Sequence, residues 1–380
     1  MNRSGAYIRQ ASNYRAFIPK PLPPKPAISL KGDMQGILSN ADMSLARLDG
    51  IGRILPNIDL FIAMFIRKEA LLSSQIEGTQ ASLEDLFELE FGGKPDNMND
   101  VAEVVNYIAA LNYGTKRLKS FPMSLRLFND IHKVLMKGVR GGNKKPGQMR
   151  MSQNWIGPAG CTLNEATFVP PPANEAKAAM GDLEKYIYAD SKIPVLINCA
   201  LIHYQFETIH PYLDGNGRLG RLLITFYLTW KEVLHRPLLY LSYYFKRLRQ
   251  EYYDRLNLVR ENGDYEQWIS FFLKGIIETS DYAVDSARRI LELQTRHRNL
   301  LWKEKISSPL AVGILEKLYS TPYVAVKSIA ESFDISFQAA SVLVSQLEKA
   351  GILKEITGRK RDKRYVYSEY LNILSEGTKQ

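Results

Sequence analysis

The chain has 380 residues, of which 45% are hydrophobic and 24% are charged, an ordinary composition for soluble domains. Its formal net charge of +10 favours polyanionic partners, nucleotides and nucleic acid among them, but does not bear on the fold. Only two cysteines occur, far apart in the sequence, and no apolar run is long enough for a signal peptide or a membrane span, so we expect a cytoplasmic protein without disulfides, a cysteine metal site or a membrane partner.

The elements predicted in chain order are almost all helices. The proline-rich stretch 17–28, FIPKPLPPKPAI, predicts an extended arm lying on the core, in preference to a ligand segment for an SH3 domain. From about residue 37 onward, apolar residues recur at helical spacing, with Gly78 placed to end one helix and Ser82 placed to begin the next. No set of alternating strands is long enough for a large sheet, so the predicted fold class is all-α.

One long loop interrupts this helical pattern. Residues 141–173 are rich in Gly, Pro and Asn and contain a short β-prone piece, Thr167-Phe168-Val169, ahead of three prolines. Long loops inside a compact domain are either disordered or functional. We expect this loop to contain a short hairpin.

A second unit begins near Ser308. Its sequence predicts helix, helix, short turn and helix, then two short strands around the basic turn GRKRDKR, which is the pattern of a winged helix-turn-helix. Gln338, Ser341 and the basic turn could contact DNA. The predicted recognition helix is nearly uncharged, however, which suits a protein-contact or dimerisation module equally well. DNA and a second copy of the chain therefore both stay open as partners.

The nine residues HPYLDGNGR, from His210 to Arg218, hold the densest cluster of polar chemistry in the chain. Glycines at 215 and 217 let successive N–H groups point at one anion, and the helix that follows adds its own free N–H groups and the positive end of its dipole. Arg218 and Arg221 are three residues apart, so both lie on one face of that helix, where each can bind phosphate through two donors.

Two further side chains of this stretch suggest chemistry. Asp214 is placed to hold Mg²⁺ that bridges phosphate oxygens, and His210 lies just outside the phosphate cradle, suited to accept a proton from a hydroxyl. A simple turn explains this combination poorly. A zinc site lacks a second His or Cys at ligand spacing, and we expect His203, which lies seven residues before His210, to pack in the core. The stretch therefore predicts phosphoryl or nucleotidyl transfer.

The stretch HPYLDGNGRLGR closely resembles the motif of Fic-domain proteins, HxFx(D/E)GNGRxxR, with Tyr212 where that family usually has Phe. The segments INCALIHYQFETIHP, PGQMRMSQNWIGP, ATFVPPP and LYLSYYFKRLRQEYY are also similar, so the likeness covers most of residues 10–290. The resemblance implies a Fic helical core with a short β-hairpin flap and a protein adenylyltransferase that moves AMP from ATP to a Ser, Thr or Tyr hydroxyl of a target protein or of itself. The second arginine distinguishes it from the phosphotransferase branch resembling Doc toxins.

The resemblance also implies roles for individual residues. His210 would be the general base, and Asp214 would position Mg²⁺ between the α- and β-phosphates. Arg218 would bind the β-phosphate and Arg221 the γ-phosphate. The remaining implied positions are Asn216 with the backbone of Gly215 and Gly217 at the α-phosphate, Gln205, Tyr252 and Tyr253 near the nucleotide, and Thr167, Phe168 and Val169 in a flap that docks the target as an added strand. Because Tyr252 and Tyr253 are adjacent in a helix, at most one of them should stack on the base.

The stretch SSQIEG matches the family's inhibitory motif, (S/T)xxxE(G/N), through Ser73, Glu77 and Gly78, in the position that defines class II. A carboxylate at a helix C-terminus is disfavoured by the helix dipole and gains from a nearby cation. Arg221 would supply that cation, and the γ-phosphate would lose its partner. In some relatives the same Glu instead orients a water that removes AMP, and the sequence does not separate the two uses.

These interpretations divide the chain into four parts and leave three functions to compare. The first is an adenylyltransferase restrained by Glu77, the second is a de-AMPylase that uses Glu77 to position water, and the third is a DNA-binding regulator with a nucleotide-sensing core. The predicted parts are an N-terminal arm with the inhibitory helix (1–115), the Fic catalytic core (116–280), a helical connector (281–307) and the winged helix-turn-helix (308–380).

Overall fold

The structure, a computed structural model, describes residues 2–11, 13–54, 58–158, 160–359, 361–376 and 378, without the side chains of 53, 54 and 60. The fold is all-α, as the sequence predicted, with only small pieces of β-structure. The helices of the first 303 residues are α1 (Asp33–Ile54), α2 (Ile58–Ile76), α3 (Leu83–Glu90), α4 (Met98–Leu118), α5 (Leu125–Leu135), α6 (Ala173–Tyr188), α7 (Val195–Ile209), α8 (Asn216–Trp230), α9 (Ser242–Arg247), α10 (Arg249–Asn262) and α11 (Tyr265–Lys303), with a 3-10 turn at Leu163–Glu165.

Helix α7 is the centre of the core. Every residue from Leu196 to Ile209 is buried, because this stretch has no polar face and can only lie where other helices surround it. Helices α6, α8 and α11 pack against it, and α4 in turn packs on α8. A β-carbon at Gly114 of α4 would lie 2.3 Å from the Phe226 ring of α8. This close approach brings the polar side chains of α4 to the first turn of α8.

Helix α2 ends as its sequence predicts. Gly78 has φ +97°, a backbone conformation that favours glycine, and the helix stops at Ile76. Helix α3 then starts at a capping box, in which the Ser82 hydroxyl accepts from the Asp85 N–H and the Asp85 carboxylate accepts from the Ser82 N–H. The two helices therefore hold the segment between them, including Glu77, in one defined place.

A β-hairpin near the N-terminus is absent from the sequence prediction. Strands β1 (Gly5–Arg9) and β2 (Arg15–Pro19) pair antiparallel, with Gly5 opposite Pro19. Its burial does not follow a clean alternation, which explains why the pattern was missed. The Phe17 N–H donates to the Val169 carbonyl, so the hairpin is attached to the long loop.

The last part of the chain contains α12 (Pro309–Leu318), β3 (Tyr323–Ala325), α13 (Val326–Phe333), α14 (Phe337–Lys349), β4 (Lys354–Glu355), β5 (Arg364–Val366) and α15 (Ser368–Ser375). The three strands form an antiparallel sheet in the order β3-β5-β4. This element order agrees with the predicted pattern and adds β3 and α15, while the winged helix-turn-helix assignment stays a prediction. Lys360 of the predicted basic turn lies outside the described residues.

The predicted connector does not begin at a break in the structure. Helix α11 is continuous through residue 281, and α1 and α15 both pack along it. The division of the chain into four parts therefore stays a prediction. In the ranges that the structure describes, no helix combines the length and apolar character needed to cross a membrane.

Candidate functional site

The predicted motif lies where the chain turns from α7 into α8. His210 caps α7 with φ 50°, and Gly215 precedes α8 with φ 76°. A β-carbon at Gly215 would lie 2.6 Å from Sδ of Met136, so both the backbone conformation and the space require glycine there. The motif is thus a tight connection between two buried helices.

The start of α8 presents unpaired backbone donors. The Gly215 N–H donates to Oδ1 of Asp214 at 2.7 Å, whereas the N–H groups of Asn216, Gly217 and Arg218 have no acceptor among the described residues. Together with the positive end of the helix dipole, three such groups form a site for an anion.

The side chain of Asn216 holds the turn rather than facing that anion site. Its Oδ1 accepts from the Tyr212 N–H at 2.9 Å, and its Nδ2 donates to the Tyr212 carbonyl at 2.8 Å. Both ends of the amide are therefore engaged with one residue. Of the predicted phosphate contacts of Asn216, the backbone N–H is the one that the structure leaves free.

Arg221 is held by two residues at the end of α2. Its Nε donates to Oγ of Ser73 at 2.8 Å, and its Nη2 donates to the Ser73 carbonyl at 2.9 Å and to Oε1 of Glu77 at 2.7 Å. The Arg221 side chain is 1% exposed and that of Glu77 is 31% exposed. Partial burial acts to raise the pKa of Glu77, but the attraction of Arg221 outweighs it, and the pKa lies below its usual value.

Gly217 provides the space for the Glu77 carboxylate. A β-carbon at Gly217 would lie 2.2 Å from Oε1 of Glu77. The carboxylate therefore lies against the first turn of α8, beside the unpaired N–H groups. The structure thus brings together the predicted motif and the predicted inhibitory segment, which are far apart in the sequence.

Arg218 also pairs with a carboxylate, which the sequence analysis did not identify. Its Nη1 donates to Oε2 of Glu103 at 2.7 Å, with the two side chains 3% and 1% exposed. Its Nη2 donates to Sδ of Met136 at 3.4 Å and lies 3.7 Å from Oδ1 of Asp214. The first two turns of α8 therefore carry two arginines, one held by Glu103 of α4 and the other by Glu77, which follows α2.

His210 is the one imidazole of the motif. Burial and the nearby Arg150 lower its pKa to about 4, so the ring is neutral at pH 7 and can accept a proton. Its Nδ1 is buried. Nε2 is therefore the nitrogen left to face an incoming group.

Arg150 fixes the position of His210. Its Nε donates to the His210 carbonyl at 2.9 Å, its Nη1 to the Ser152 carbonyl at 3.1 Å and its Nη2 to the Pro171 carbonyl. Its backbone N–H donates to the Pro211 carbonyl at 2.9 Å. One buried guanidinium thus joins the long loop to the turn after α7.

His132 supports the motif from α5. The Gly147 N–H donates to its Nδ1 at 2.8 Å, so Nε2 carries the proton and donates to the Asp214 carbonyl at 2.9 Å. Its ring stacks on Tyr212 with 3.9 Å between centroids. The Tyr212 hydroxyl donates to Oδ1 of Asn129 at 2.8 Å, which satisfies the one polar atom by which this residue departs from the usual Phe.

Asp214 is the one predicted metal ligand. Its side chain is 30% exposed, and its Oδ2 lies 3.2 Å from Nζ of Lys144. Among the residues that the structure describes, no group of three or more His, Cys, Asp or Glu could hold a metal ion. A single accessible carboxylate nevertheless fits Mg²⁺ that arrives with a nucleotide, because the phosphates then supply the other oxygens.

The two adjacent tyrosines of α10 lie in different surroundings, as expected for neighbouring residues of a helix. Tyr252 is 1% exposed, and its hydroxyl donates to Nε2 of His203 at 2.9 Å, while Nδ1 of His203 donates to the Gly220 carbonyl. Tyr252 is therefore a core residue in this structure, and its predicted place at the nucleotide stays a prediction. Tyr253 is only partly buried and lies under Arg249, so it is the tyrosine left for a base.

Gln205 does not point into the site. Its Nε2 donates to the Lys20 carbonyl at 3.0 Å, and the residue is 3% exposed. The side chain thus holds the N-terminal arm against α7. This contact gives no support to its predicted role in nucleotide binding.

In the described part of the loop, the predicted flap forms one β-bridge, at Phe168. Phe168 exchanges two backbone hydrogen bonds with Ile156, and the Val169 carbonyl accepts from Phe17. The side chains of Phe168 and Val169 are buried. Thr167 is exposed, and its N–H and C=O have no partner in the described part of the chain. Of the three predicted docking positions, Thr167 is the one with a free backbone edge.

Three functional side chains escaped the sequence analysis: Glu103, Arg150 and His132. One signal was present for Glu103, which lies in helical register with Tyr107, Ala110 and Gly114 on the buried face of α4. A charge on an apolar face calls for a partner. Arg150 and His132 act through backbone groups of distant residues, and no spacing in the sequence indicates that.

Two family models match the chain at the parts that form this site. Residues 36–116 match the N-terminal model of the Fic/DOC family, and residues 122–228 match the Fic/DOC family model. The chain carries both Fic/DOC family domains. The first contains α2 with Ser73, the adjoining Glu77 and α4 with Glu103, and the second contains His210 and the two arginines. The predicted inhibitory segment thus precedes the Fic domain, which fits class II.

Curated relatives share the family at modest identity. The protein adenylyltransferase Fic of Aedes aegypti is 27% identical over 208 residues, which are 52% of this chain and 37% of the relative. That of Drosophila willistoni is 24% identical over 65% of this chain and 48% of the relative. A probable protein adenylyltransferase of Aquifex aeolicus is 25% identical over 44% and 49%. The matched part is thus less than half of each relative.

Solved Fic structures share the fold. A Fic family protein from Desulfovibrio desulfuricans superposes with a TM-score of 0.55 at 19% identity and covers 87% of this chain and 95% of its own. A Fic domain containing signalling protein from Bacteroides thetaiotaomicron gives 0.53 at 18%, covering 66% and 97%. At these identities the likeness is one of fold alone.

Proposed function

We propose that this chain is a protein adenylyltransferase, which moves AMP from ATP to a hydroxyl side chain of a target protein or of itself. The observation that carries the proposal is the conjunction, at the start of α8, of unpaired N–H groups, two arginines and a neutral histidine. The curated relatives named above are called protein adenylyltransferases, which supports the same reaction.

The triphosphate would lie along the first turn of α8. The N–H groups of residues 216–218 would receive the α-phosphate, because free donors at a helix start favour an anion. Arg218 would take the β-phosphate and Arg221 the γ-phosphate, each through a charge-assisted fork. Tyr253 would lie against the adenine. When Mg²⁺ is bound at Asp214, it would neutralise charge on the phosphates.

His210 would start the reaction by accepting the proton of the target hydroxyl at Nε2. The hydroxyl oxygen then forms a bond to the α-phosphorus, and the bond from that phosphorus to the bridging oxygen breaks. AMP stays on the target as an ester, and pyrophosphate leaves. The low pKa of His210 keeps the ring free of a proton at pH 7, and Arg150 holds its backbone in place.

Glu77 would restrain this reaction. Its carboxylate is bound to the arginine needed by the γ-phosphate and lies against Gly217, where phosphate oxygens would otherwise come. Both contacts oppose an in-line triphosphate. Release requires the carboxylate to move into water, which its 31% exposure and its position after the end of α2 make easy.

The target would dock beside the exposed Thr167. A free backbone edge accepts an extended segment through main-chain hydrogen bonds, largely regardless of its side chains. Such docking would bring a hydroxyl to His210, since Arg150 ties the loop to the same turn.

The test compares the wild type with Glu77→Gly, using ATP labelled at the α-phosphate and, separately, at the γ-phosphate. We expect the protein to incorporate label from the α-phosphate only. Self-labelling should rise roughly five- to 150-fold in Glu77→Gly, which corresponds to a coupling free energy of ~1–3 kcal/mol between Glu77 and the bound nucleotide. Adding His210→Ala to Glu77→Gly should lower the self-labelling at least about a hundredfold. Adding Arg221→Ala to Glu77→Gly should remove most of the increase over the wild type.

Other outcomes would point elsewhere. Label from the γ-position would indicate a kinase. No transfer by any variant, with ATP still bound, would leave a nucleotide sensor and contradict the proposal. If the wild type removes AMP from a modified protein and Glu77→Gly does not, Glu77 positions water, and the de-AMPylase reading replaces the restraint.

A further inference from the structure

The two arginine–glutamate pairs at the start of α8 differ in burial. Glu77 is 31% exposed in its pair with Arg221, whereas Glu103 is 1% exposed in its pair with Arg218. Glu77 follows the last turn of α2, but Glu103 lies inside α4, which packs on both α2 and α8. The Glu77–Arg221 pair can therefore separate, whereas the Glu103–Arg218 pair is permanent.

The Glu103–Arg218 pair is permanent because an unpaired charge in a buried place is costly. Moving Glu103 away would leave Arg218 as an unpaired charge among buried groups, which is strongly unfavourable. Moving Glu77 away also leaves a buried arginine, but Arg221 keeps the hydroxyl and the carbonyl of Ser73 as acceptors, and the Glu77 carboxylate can reach water directly. A regulatory release is thus accessible at Arg221 but not at Arg218.

The donors of Arg218 are divided between the pair and the site. Nη1 is used by Glu103, while Nη2 has only the weak acceptor Sδ of Met136 and lies 3.7 Å from Oδ1 of Asp214. Nε is buried and has no partner in the described structure. An arginine fixed through Nη1 keeps Nη2 available for a phosphate without having to order its side chain on binding.

Glu103 has a second cation on its outer oxygen. Nε of Arg140 lies 3.4 Å from Oε1 of Glu103, and the Arg140 side chain is 61% exposed. Arg140 therefore contacts the same carboxylate without belonging to the buried pair. It supplies a control residue for the role of Glu103.

From these contacts we infer that Glu103 is a positioning residue, which holds Arg218 rigid for the β-phosphate and makes the site selective for nucleotides with two or more phosphates over monophosphates. This inference rests on the proposed binding of a nucleotide at α8. Glu103 is not a second restraint, because its pair with Arg218 persists when the nucleotide is bound.

The test measures the affinity of ATP, ADP and AMP by calorimetry in the Glu77→Gly protein, with and without Glu103→Ala. Loss of the fixed fork should weaken ATP and ADP by about tenfold or more, and leave AMP unchanged. Glu103→Gln should fall between, because its amide oxygen can still accept from Arg218. Arg140→Ala should change none of the three affinities, and Glu103→Ala should have no further effect in Arg218→Ala.

Three results would overturn the inference. Tighter ATP binding by Glu103→Ala would make Glu103 a restraint, unchanged ADP affinity would make the pair irrelevant to binding, and equal weakening of AMP would make its role structural. If Glu103→Ala does not fold, Glu103→Gln gives the same three readings. Failure of the proposed transfer reaction is distinguishable, since it would leave these affinities measurable in a protein that binds ATP but labels nothing.

Discussion

Oε1 of Glu77 lies 2.7 Å from Nη2 of Arg221, and a β-carbon at Gly217 would lie 2.2 Å from the same oxygen. The carboxylate thus contacts the helix start and its arginine at once. Any side chain at 217 has to displace it. This relationship can be tested without measuring catalysis.

We expect Gly217→Ala to destabilise the wild-type protein by about 1–3 kcal/mol, the usual cost of overpacking. In Glu77→Gly the same change should be neutral or stabilising by up to ~1 kcal/mol, since alanine favours a helix over glycine. Urea unfolding of the wild type, the two single variants and the double variant gives the coupling free energy between positions 77 and 217. An equal cost in both backgrounds would mean that the carboxylate does not occupy this place.

The pKa of His210, lowered to about 4 by burial and Arg150, predicts an unusual pH dependence. Only the neutral ring accepts a proton, so transfer by Glu77→Gly should persist as pH falls from 7 to 5 and decline only as the pH approaches 4. An unperturbed histidine, with a pKa near 6.5, would already lose most activity at pH 5. The measurement is kcat/KM against pH, and an acid limb centred near 6.5 would contradict the burial argument.

Glu207 is a buried carboxyl next to the site whose Oε1 has no partner in the described structure. Burial raises its pKa from 4.5 to about 7, although Arg221 opposes the shift. A raised folded-state pKa gives stability that is present below pH 4.5 and is lost as pH rises through 7. Relative to the wild type, Glu207→Gln should therefore gain stability between pH 4.5 and 8, by up to ~3 kcal/mol. Denaturant titrations at several pH values would show the trend, and a constant difference between the proteins would refute it.

The two tyrosines of α10 should respond in opposite ways. Tyr252→Phe removes the hydroxyl bonded to His203 and should cost about 1–3 kcal/mol of stability with ATP affinity unchanged. Tyr253→Ala should weaken ATP by about 1–3 kcal/mol, the value of stacking one base, and Tyr253→Phe should retain most of that affinity. If Tyr253→Ala binds ATP normally, the adenine lies elsewhere.

Local geometry explains what the sequence predicted correctly. The glycines, the free N–H groups and the common face of Arg218 and Arg221 all lie within two helical turns, so spacing alone relates them. The ends of α2 and α3 at Gly78 and Ser82 follow from backbone preferences of the same short range. The all-α class follows from apolar periodicity along the chain.

The partners of the two arginines required the tertiary structure. Glu103 is 115 residues from Arg218 in the chain, and Glu77 is 144 from Arg221. The family motif indicated Glu77, but nothing local distinguished Glu103 from a surface glutamate except its register with apolar neighbours. Which of Tyr252 and Tyr253 faces the core, and where Gln205 points, depend likewise on how α7 packs against its neighbours. Helical periodicity defines the faces of each helix, but only the packing between helices decides which faces meet, because that choice depends on the shape of the whole core.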